Sequence, residues 1–179
     1  MNIRNIIASL LAIVTMSTCS TASAGMYMLG SAGITAHEYV DVRSAGAYKL
    51  GVGFMMPTNF GFEASYMNLG SALVSGGGTL EMSGTNLSGV FELPLRPLVM
   101  SFKLGIYNID TTHVDPGFPF SGSAGSSGLS WGFLLGYEIN RNTMLFMDTE
   151  GFDSIVVPTG SGDSWESPAL ITFGVRMEF

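Results

Sequence analysis

Leu129-Ser130-Trp131-Gly132-Phe133-Leu134-Leu135-Gly136-Tyr137-Glu138-Ile139 carries an apolar side chain at every odd position. Glycine, serine and glutamate fill the even ones, with Leu134 the single intruder. Side chains of an extended strand point alternately to opposite faces, so this stretch predicts a strand with one greasy face. The same period returns along the chain. Ile171, Phe173, Val175, Met177 and Phe179 face away from Thr172, Gly174, Arg176 and Glu178. Leu98, Met100, Phe102, Leu104 and Ile106 oppose Ser101, Lys103 and Gly105. Tyr48, Leu50, Val52, Phe54 and Met56 oppose Lys49, Gly51 and Gly53.

Alternation alone also fits an antiparallel sandwich with a dry core and a wet face. Three features favour a different environment. The apolar rows are large and aromatic, the opposing rows are small with isolated charges, and each row is about ten residues long. At roughly 3.3 Å per residue, ten tilted residues match the height of a hydrocarbon layer. Apolar outside and small or polar inside is the pattern of a transmembrane barrel. Closure follows because lipid offers no partner to the N–H and C=O groups of a free strand edge.

Composition narrows the choice in the same direction. The 179 residues are 46% hydrophobic and only 12% charged, where soluble domains average about 25% charged. Mean hydropathy is +0.37, yet no run of 18 apolar residues exists to form a spanning helix. Residues 1–24 read as a secretory signal peptide: Arg4, the apolar run Ile6 to Val14, and a small-x-small site at Ala22-Ser23-Ala24. Cleavage after Ala24 leaves 25–179 as one barrel domain. It removes Cys19, the only cysteine, and leaves six basic residues against fourteen acidic. An acidic exported chain of this kind is not built for nucleic acid.

Eight strands are expected, at about 26–35, 45–56, 60–69, 79–93, 98–109, 128–140, 143–152 and 166–179. The facing of the first and seventh is open. In the fourth, Leu80 and Met82 give way to Leu87, Phe91 and Leu93, a change of parity that suggests a bulge near Gly84 to Asn86. Short connections (57–59, 94–97, 140–142) alternate with longer ones (36–44, 70–78, 110–127, 153–165), the arrangement of periplasmic turns and outer loops. Aromatics gather near the strand ends: Phe54, Phe60, Phe62, Phe91, Tyr137 and Phe179 by the short turns, Tyr66 and Trp131 by the long loops. They predict two interfacial girdles.

Three stretches resemble the OmpA-like membrane-domain family of eight-stranded outer-membrane barrels, together with its OmpX-like relatives. They are Gly46 to Phe54 with Phe60 to Gly70, Leu129 to Glu138, and Phe173-Gly174-Val175-Arg176-Met177-Glu178-Phe179. The resemblance implies an all-β, eight-stranded antiparallel up-and-down transmembrane barrel in a bacterial outer membrane. It implies that Phe173, Gly174, Val175, Met177 and Phe179 form the signal read by the barrel-assembly machinery, although family members often carry Tyr where Met177 stands. It also implies lipid and lipopolysaccharide as neighbours and a monomeric state. Ending on the last strand, the chain is expected to lack the soluble peptidoglycan-binding domain of OmpA itself. The inward arginine often found on the family's seventh strand is replaced here by Asp148, with Glu150 two residues on.

The inward charges are expected to be Lys49, Glu63, Glu92, Lys103, Glu138, Asp148, Glu150 and Arg176. They would form either a conduction path or a plug, and the narrow interior of an eight-stranded barrel favours the plug. Lys103 is expected to pair with Glu63, Glu92 or Glu138. His37 and His113 fall in predicted outer loops, and neither Ser44 nor Ser167 has the spacing of a nucleophile with them. No enzymatic activity, cofactor or metal is therefore expected. The methionines, such as Met56, Met100 and Met177, read as lipid-facing filler. The loop tips Val114, Phe118, Phe120 and Ile155-Val156-Val157 admit either an extracellular partner or packing over the barrel mouth. A structural or surface role is expected, with a narrow solute channel, an adhesin and a lipid A-modifying enzyme as alternatives.

Overall fold

The computed structural model describes residues 25–36, 45–73, 79–114, 121–159 and 162–179. Ten strands run in chain order: β1 (Gly25–Ala36), β2 (Ala45–Met55), β3 (Phe60–Leu73), β4 (Thr79–Leu95), β5 (Leu98–Val114), β6 (Ser121–Asn140), β7 (Thr143–Phe152), β8 (Ile155–Thr159), β9 (Gly162–Glu166) and β10 (Ala169–Glu178). Eight close into a barrel in the order β1-β10-β7-β6-β5-β4-β3-β2, every pair antiparallel. The last strand pairs with the first, Met28 opposite Met177 and Ile34 opposite Ile171. The remaining two strands form a separate hairpin, β8–β9.

The outward rows are those the alternation predicts. Leu50, Phe102, Leu104, Ile106, Leu129, Trp131, Tyr137 and Phe173 are all exposed. So are the aromatics expected at the ends, and the pairing sets Phe54 opposite Phe62, Phe60 opposite Phe91 and Tyr137 opposite Leu98 at the short-turn end. Facing of the first and seventh strands is resolved. Tyr27, Leu29, Ser31 and Thr35 point inward on β1, as do Met144, Phe146, Asp148, Glu150 and Phe152 on β7.

Four expectations need correction. First, β4 has no bulge near Gly84 to Asn86. Its even residues Leu80, Met82, Asn86, Ser88 and Val90 are all buried, and its odd residues Glu81, Thr85, Leu87 and Phe91 all exposed. The parity is constant and the environment changes: the strand continues above the apolar band, where the inside is greasy and the outside polar. The register shift lies on β3, between Asn68 and Gly70, where Gly70 takes a φ of +87° that glycine adopts without steric cost. Second, β5 and β6 run further than expected, to Val114 and from Ser121. Hydroxyl and glycine residues there read as loop, yet they pair continuously from Leu98↔Tyr137 to Val114↔Ser121. Third, 153–165 is not simply a loop, since it holds the β8–β9 hairpin, and the last barrel strand starts at Ala169. Fourth, β2 ends at Met55, and Met56 sits in the turn, its N–H donating to the Phe60 carbonyl at 2.8 Å.

Candidate functional site: the filled lumen

Narrow barrels fill their interior with side chains, and this one does so in layers. At the centre five charged groups meet. The Lys49 Nζ lies 2.8 Å from Glu63 Oε1 and 3.1 Å from Asp148 Oδ2, and also contacts Glu150. The Lys103 Nζ lies 3.1 Å from Glu63 Oε1, 2.8 Å from Asp148 Oδ2 and 3.5 Å from Glu150 Oε1. All five residues are buried, and they come from β2, β3, β5 and β7, spaced around the wall. Charges taken out of water are tolerated only when paired and hydrogen-bonded. Glu63 takes a further hydrogen bond from the Tyr27 hydroxyl at 3.1 Å. The three carboxylates gather closely enough to surround a cation, and the two lysine ammonium groups reach them from β2 and β5, three strands apart around the wall.

Towards the short-turn end comes an apolar layer of Tyr27, Leu29, Val99, Leu134, Met144 and Phe146. This explains Leu134, the exception in the alternating row: it faces inward and is buried here. Gly53 leaves room for the Tyr27 ring, which stands where a Cβ at that position would be. Below, the Arg176 guanidinium stacks 4.2 Å from the centre of the Tyr27 ring. It pairs with Glu92 and, at 2.5 Å, with Glu178. The mouth at this end is a depression of about 350 Å³ lined by Arg96, Glu138, Arg141 and Arg176, among others.

Above the charges, Asn86 and Ser130 share a buried hydrogen bond of 2.8 Å. Higher still a second apolar layer packs Met67, Leu69, Leu80, Met82, Tyr107, Ile109, Phe152, Ile155 and Leu170. The turn into β8 sits on top. Ile155 is fully buried, Tyr107 donates to the Ser154 carbonyl at 2.8 Å, and the Val156 N–H donates to Ser126 Oγ at 2.7 Å. At Ile155, therefore, the alternative of packing over the mouth holds. Phe118 and Phe120 lie outside the described residues, as do His37, Ser44 and the signal peptide.

Of the expected inward charges, Lys49, Glu63, Lys103, Asp148 and Glu150 form one cluster. Lys103 meets Glu63 as expected, but not Glu92 or Glu138. Glu92 belongs to Arg176, and Glu138 lies 3.7 Å from the exposed Arg96 at the rim. Both sit a layer too low to reach Lys103, because Glu92 pairs with Ser101 and Glu138 with Met144. His113 is not a loop histidine. It is buried on β5, since the odd residues of that strand keep facing inward. The Ser167 hydroxyl donates to the Asp153 carbonyl in a turn. Tyr27 is the member that sequence reasoning missed; its odd-numbered parity with Leu29, Ser31 and Thr35 was the available signal.

No family model and no curated protein matches the chain. Solved structures do. A major outer membrane protein from Thermus thermophilus superposes with a TM-score of 0.63 at 14% identity, over 88% of this chain and 100% of that one. The N-terminal β-barrel domain of Pseudomonas aeruginosa OprF gives 0.61 at 14% identity, over 88% and 98%. Ail, the attachment invasion locus protein of Yersinia pestis, gives 0.59 at 12% identity, over 89% and 100%. Ail has also been solved with the heparin analogue sucrose octasulfate. The chain thus has the eight-stranded antiparallel fold of these outer-membrane barrels, and at such identities the likeness is one of fold.

Proposed function

We propose that this chain is a non-enzymatic, monomeric integral protein of a bacterial outer membrane, with a plugged lumen and a structural or surface-interaction role. In this reading residues 1–24 are removed on export. The β10 row Phe173, Val175 and Met177, continued by the terminal Phe179 and with Gly174 packed closely on β1, presents the assembly signal. The short turns face the periplasm, the long strands β4 to β6 face outward, and lipopolysaccharide surrounds the apolar band. The observation that carries the plugged reading is the filling of the interior: a cluster of five charges held between two apolar layers. A channel needs a continuous wet path, and neither apolar layer offers one. The folded barrel in planar bilayers is expected to give no unitary conductance. The doubly substituted Lys49→Met, Lys103→Met barrel is expected to give none either, because Tyr27, Leu134 and Phe146 still close the lumen below. Stepwise currents in the unsubstituted protein would replace the plug with a pore.

The surface role is supported by an open strand edge. β6 pairs with β5 from Ser121 to Tyr137, but with β7 only from Ser130. Its upper part, 121–128, is glycine, serine and alanine; among the described residues no strand pairs with its free edge there, although the Asp153 N–H donates to the Leu129 carbonyl at 3.0 Å and the Val156 N–H to Ser126 Oγ at 2.7 Å. Such an edge is a template for an incoming strand. Among the described residues the outer end also carries a charge that disfavours polyanions. Glu81, Asp110 and Asp153 are exposed there, whereas the exposed Arg96 and Arg141 belong to the short-turn end. Bilayer-embedded protein is expected to bind an extended polypeptide such as reduced casein and to ignore heparin. The pair Ser123→Lys, Gly125→Lys, which blunts the edge, is expected to abolish that binding while leaving the barrel folded.

A further inference from the structure

Among the described residues five buried side-chain oxygens find no hydrogen-bond partner: Ser31 Oγ, Thr111 Oγ1, Asp148 Oδ1, Glu150 Oε2 and Thr172 Oγ1. All but Thr111 belong to β1, β10 and β7, which are consecutive strands of the wall. Orphaned buried oxygens are rare, and several together call for a shared ligand. Asp148 stands directly opposite Thr172, a spacing of ~4.5–5.5 Å between Cβ atoms. Glu150 is the next inward residue of β7. Ser31 stands opposite Gly174, the inward residue of β10 that follows Thr172. A Cβ at Gly174 would lie 2.5 Å from that of Ser31, so glycine there keeps the serine its place. Each of the four residues is more than nine-tenths buried.

The lysines do not serve these atoms. An ammonium group has three donors, and those of Lys49 and Lys103 meet Glu63 Oε1, Asp148 Oδ2 and Glu150 Oε1. The other oxygen of Glu63 takes the Tyr27 hydroxyl. Asp148 Oδ1 and Glu150 Oε2 are left over. So is one negative charge, since three carboxylates face two ammonium groups. Arg176 does not supply the balance, being held by Glu92 and Glu178 beyond the apolar layer of Tyr27 and Leu134. A surplus charge shut away from water is costly until something positive meets it. A water molecule would join the four oxygens without neutralising them. Calcium would reverse the surplus and takes ~6–8 oxygen ligands. A monovalent cation matches both the surplus and the donor set, two carboxylate and two hydroxyl oxygens of the hard kind.

We infer that the lumen holds one alkali cation against the β1–β10–β7 wall, ligated by Asp148 Oδ1, Glu150 Oε2, Thr172 Oγ1 and Ser31 Oγ. The apolar layers above and below close the path to it. The ion therefore enters as the barrel folds and leaves as it unfolds, which makes it a folding ligand of the plug. The inference rests on the plugged reading. Stepwise currents in planar bilayers would overturn both, whereas a silent barrel indifferent to alkali cations would overturn this site alone.

Reversible urea unfolding of the barrel in phosphatidylcholine vesicles tests it, with sodium chloride exchanged for tetramethylammonium chloride at constant ionic strength. Once the site fills, each tenfold rise in sodium is expected to raise the folded-to-unfolded ratio about tenfold, the mass-action slope for one ion bound only by the folded chain. Asp148→Asn balances the cluster at two charges of each sign. It is expected to abolish the sodium dependence and, in tetramethylammonium, to be at least as stable as the unsubstituted chain. Thr172→Val keeps the charges and the side-chain shape but removes a ligand. It is expected to need about tenfold more sodium for the same stabilisation, the ratio of one lost contact to a charged group. The valine variant carries the test if the asparagine variant does not fold. The site is overturned if the unsubstituted barrel is equally stable in both salts, with a proton or a water in the ion's place. It is also overturned if magnesium replaces sodium at equal effect, or if both variants keep the full sodium response.

Discussion

Replacing Lys103 by methionine is expected to cost the folded barrel about 3–5 kcal/mol, the penalty for breaking a buried ion pair from one side. Lys103 is one of two cations facing three carboxylates, and its ammonium lies within 3.5 Å of an oxygen on each. Methionine fills a similar volume, so the loss is not a cavity effect. It leaves Lys49 alone against Glu63, Asp148 and Glu150, in a place water cannot reach from either end. The measurement is the urea midpoint for loss of the fast-migrating folded band. Glu63→Gln added to Lys103→Met removes one of the stranded charges, and the double variant is expected to recover part of the loss. A coupling of about 0.5–3 kcal/mol is the range for residues sharing one network. Equal midpoints for Lys103→Met and the unsubstituted chain would mean the five groups are solvated, and the plug would fail with them.

Within the bilayer-height band the outward rows of β2, β5, β6 and β10 were legible in the sequence, because lipid outside requires large apolar side chains there. The interior was legible only in part, since it mixes small residues and paired charges with the buried Tyr27, Leu134 and Phe146. Leu129 to Ile139 shows this alternation, and Lys49, Lys103 and Asp148 follow it on other strands. Above the band the rule reverses without any mark in the backbone. Leu80 and Met82 look like a break in β4 only if the outside is assumed to remain lipid. Extension of β5 and β6 through Thr111, Thr112, Ser123 and Ala124 was hidden for a related reason: small polar residues are loop-like in composition, and only their cross-strand partners make them strand. Which charges meet was legible only as far as facing. The choice of Asp148 over Glu92 for Lys103 depends on height in the barrel, and height depends on a register that one-dimensional alternation does not contain.

That reversal makes β5 a test of the whole architecture on one strand. Leu104 is 67% exposed, beside Trp131 and Gly89 on the neighbouring strands. Leu104→Arg is expected to destabilise the bilayer-embedded barrel by about 2–4 kcal/mol, the cost of an arginine near the hydrocarbon midplane. Thr112 faces the same way eight residues further on and is also exposed, but it stands above the apolar band. Thr112→Arg is expected to stay within about 0.5 kcal/mol, as surface substitutions do. The opposite face gives the converse. Ile109 is fully buried in the upper layer against residues such as Met82 and Tyr107, so Ile109→Ala is expected to cost about 2–5 kcal/mol through lost burial and the cavity left behind. Reversible urea unfolding in lipid vesicles measures all three. In a water-soluble barrel or sandwich, arginine at an exposed Leu104 would be neutral or favourable. A large penalty at Leu104 and none at Thr112 requires the solvent outside the wall to change between them from hydrocarbon to water.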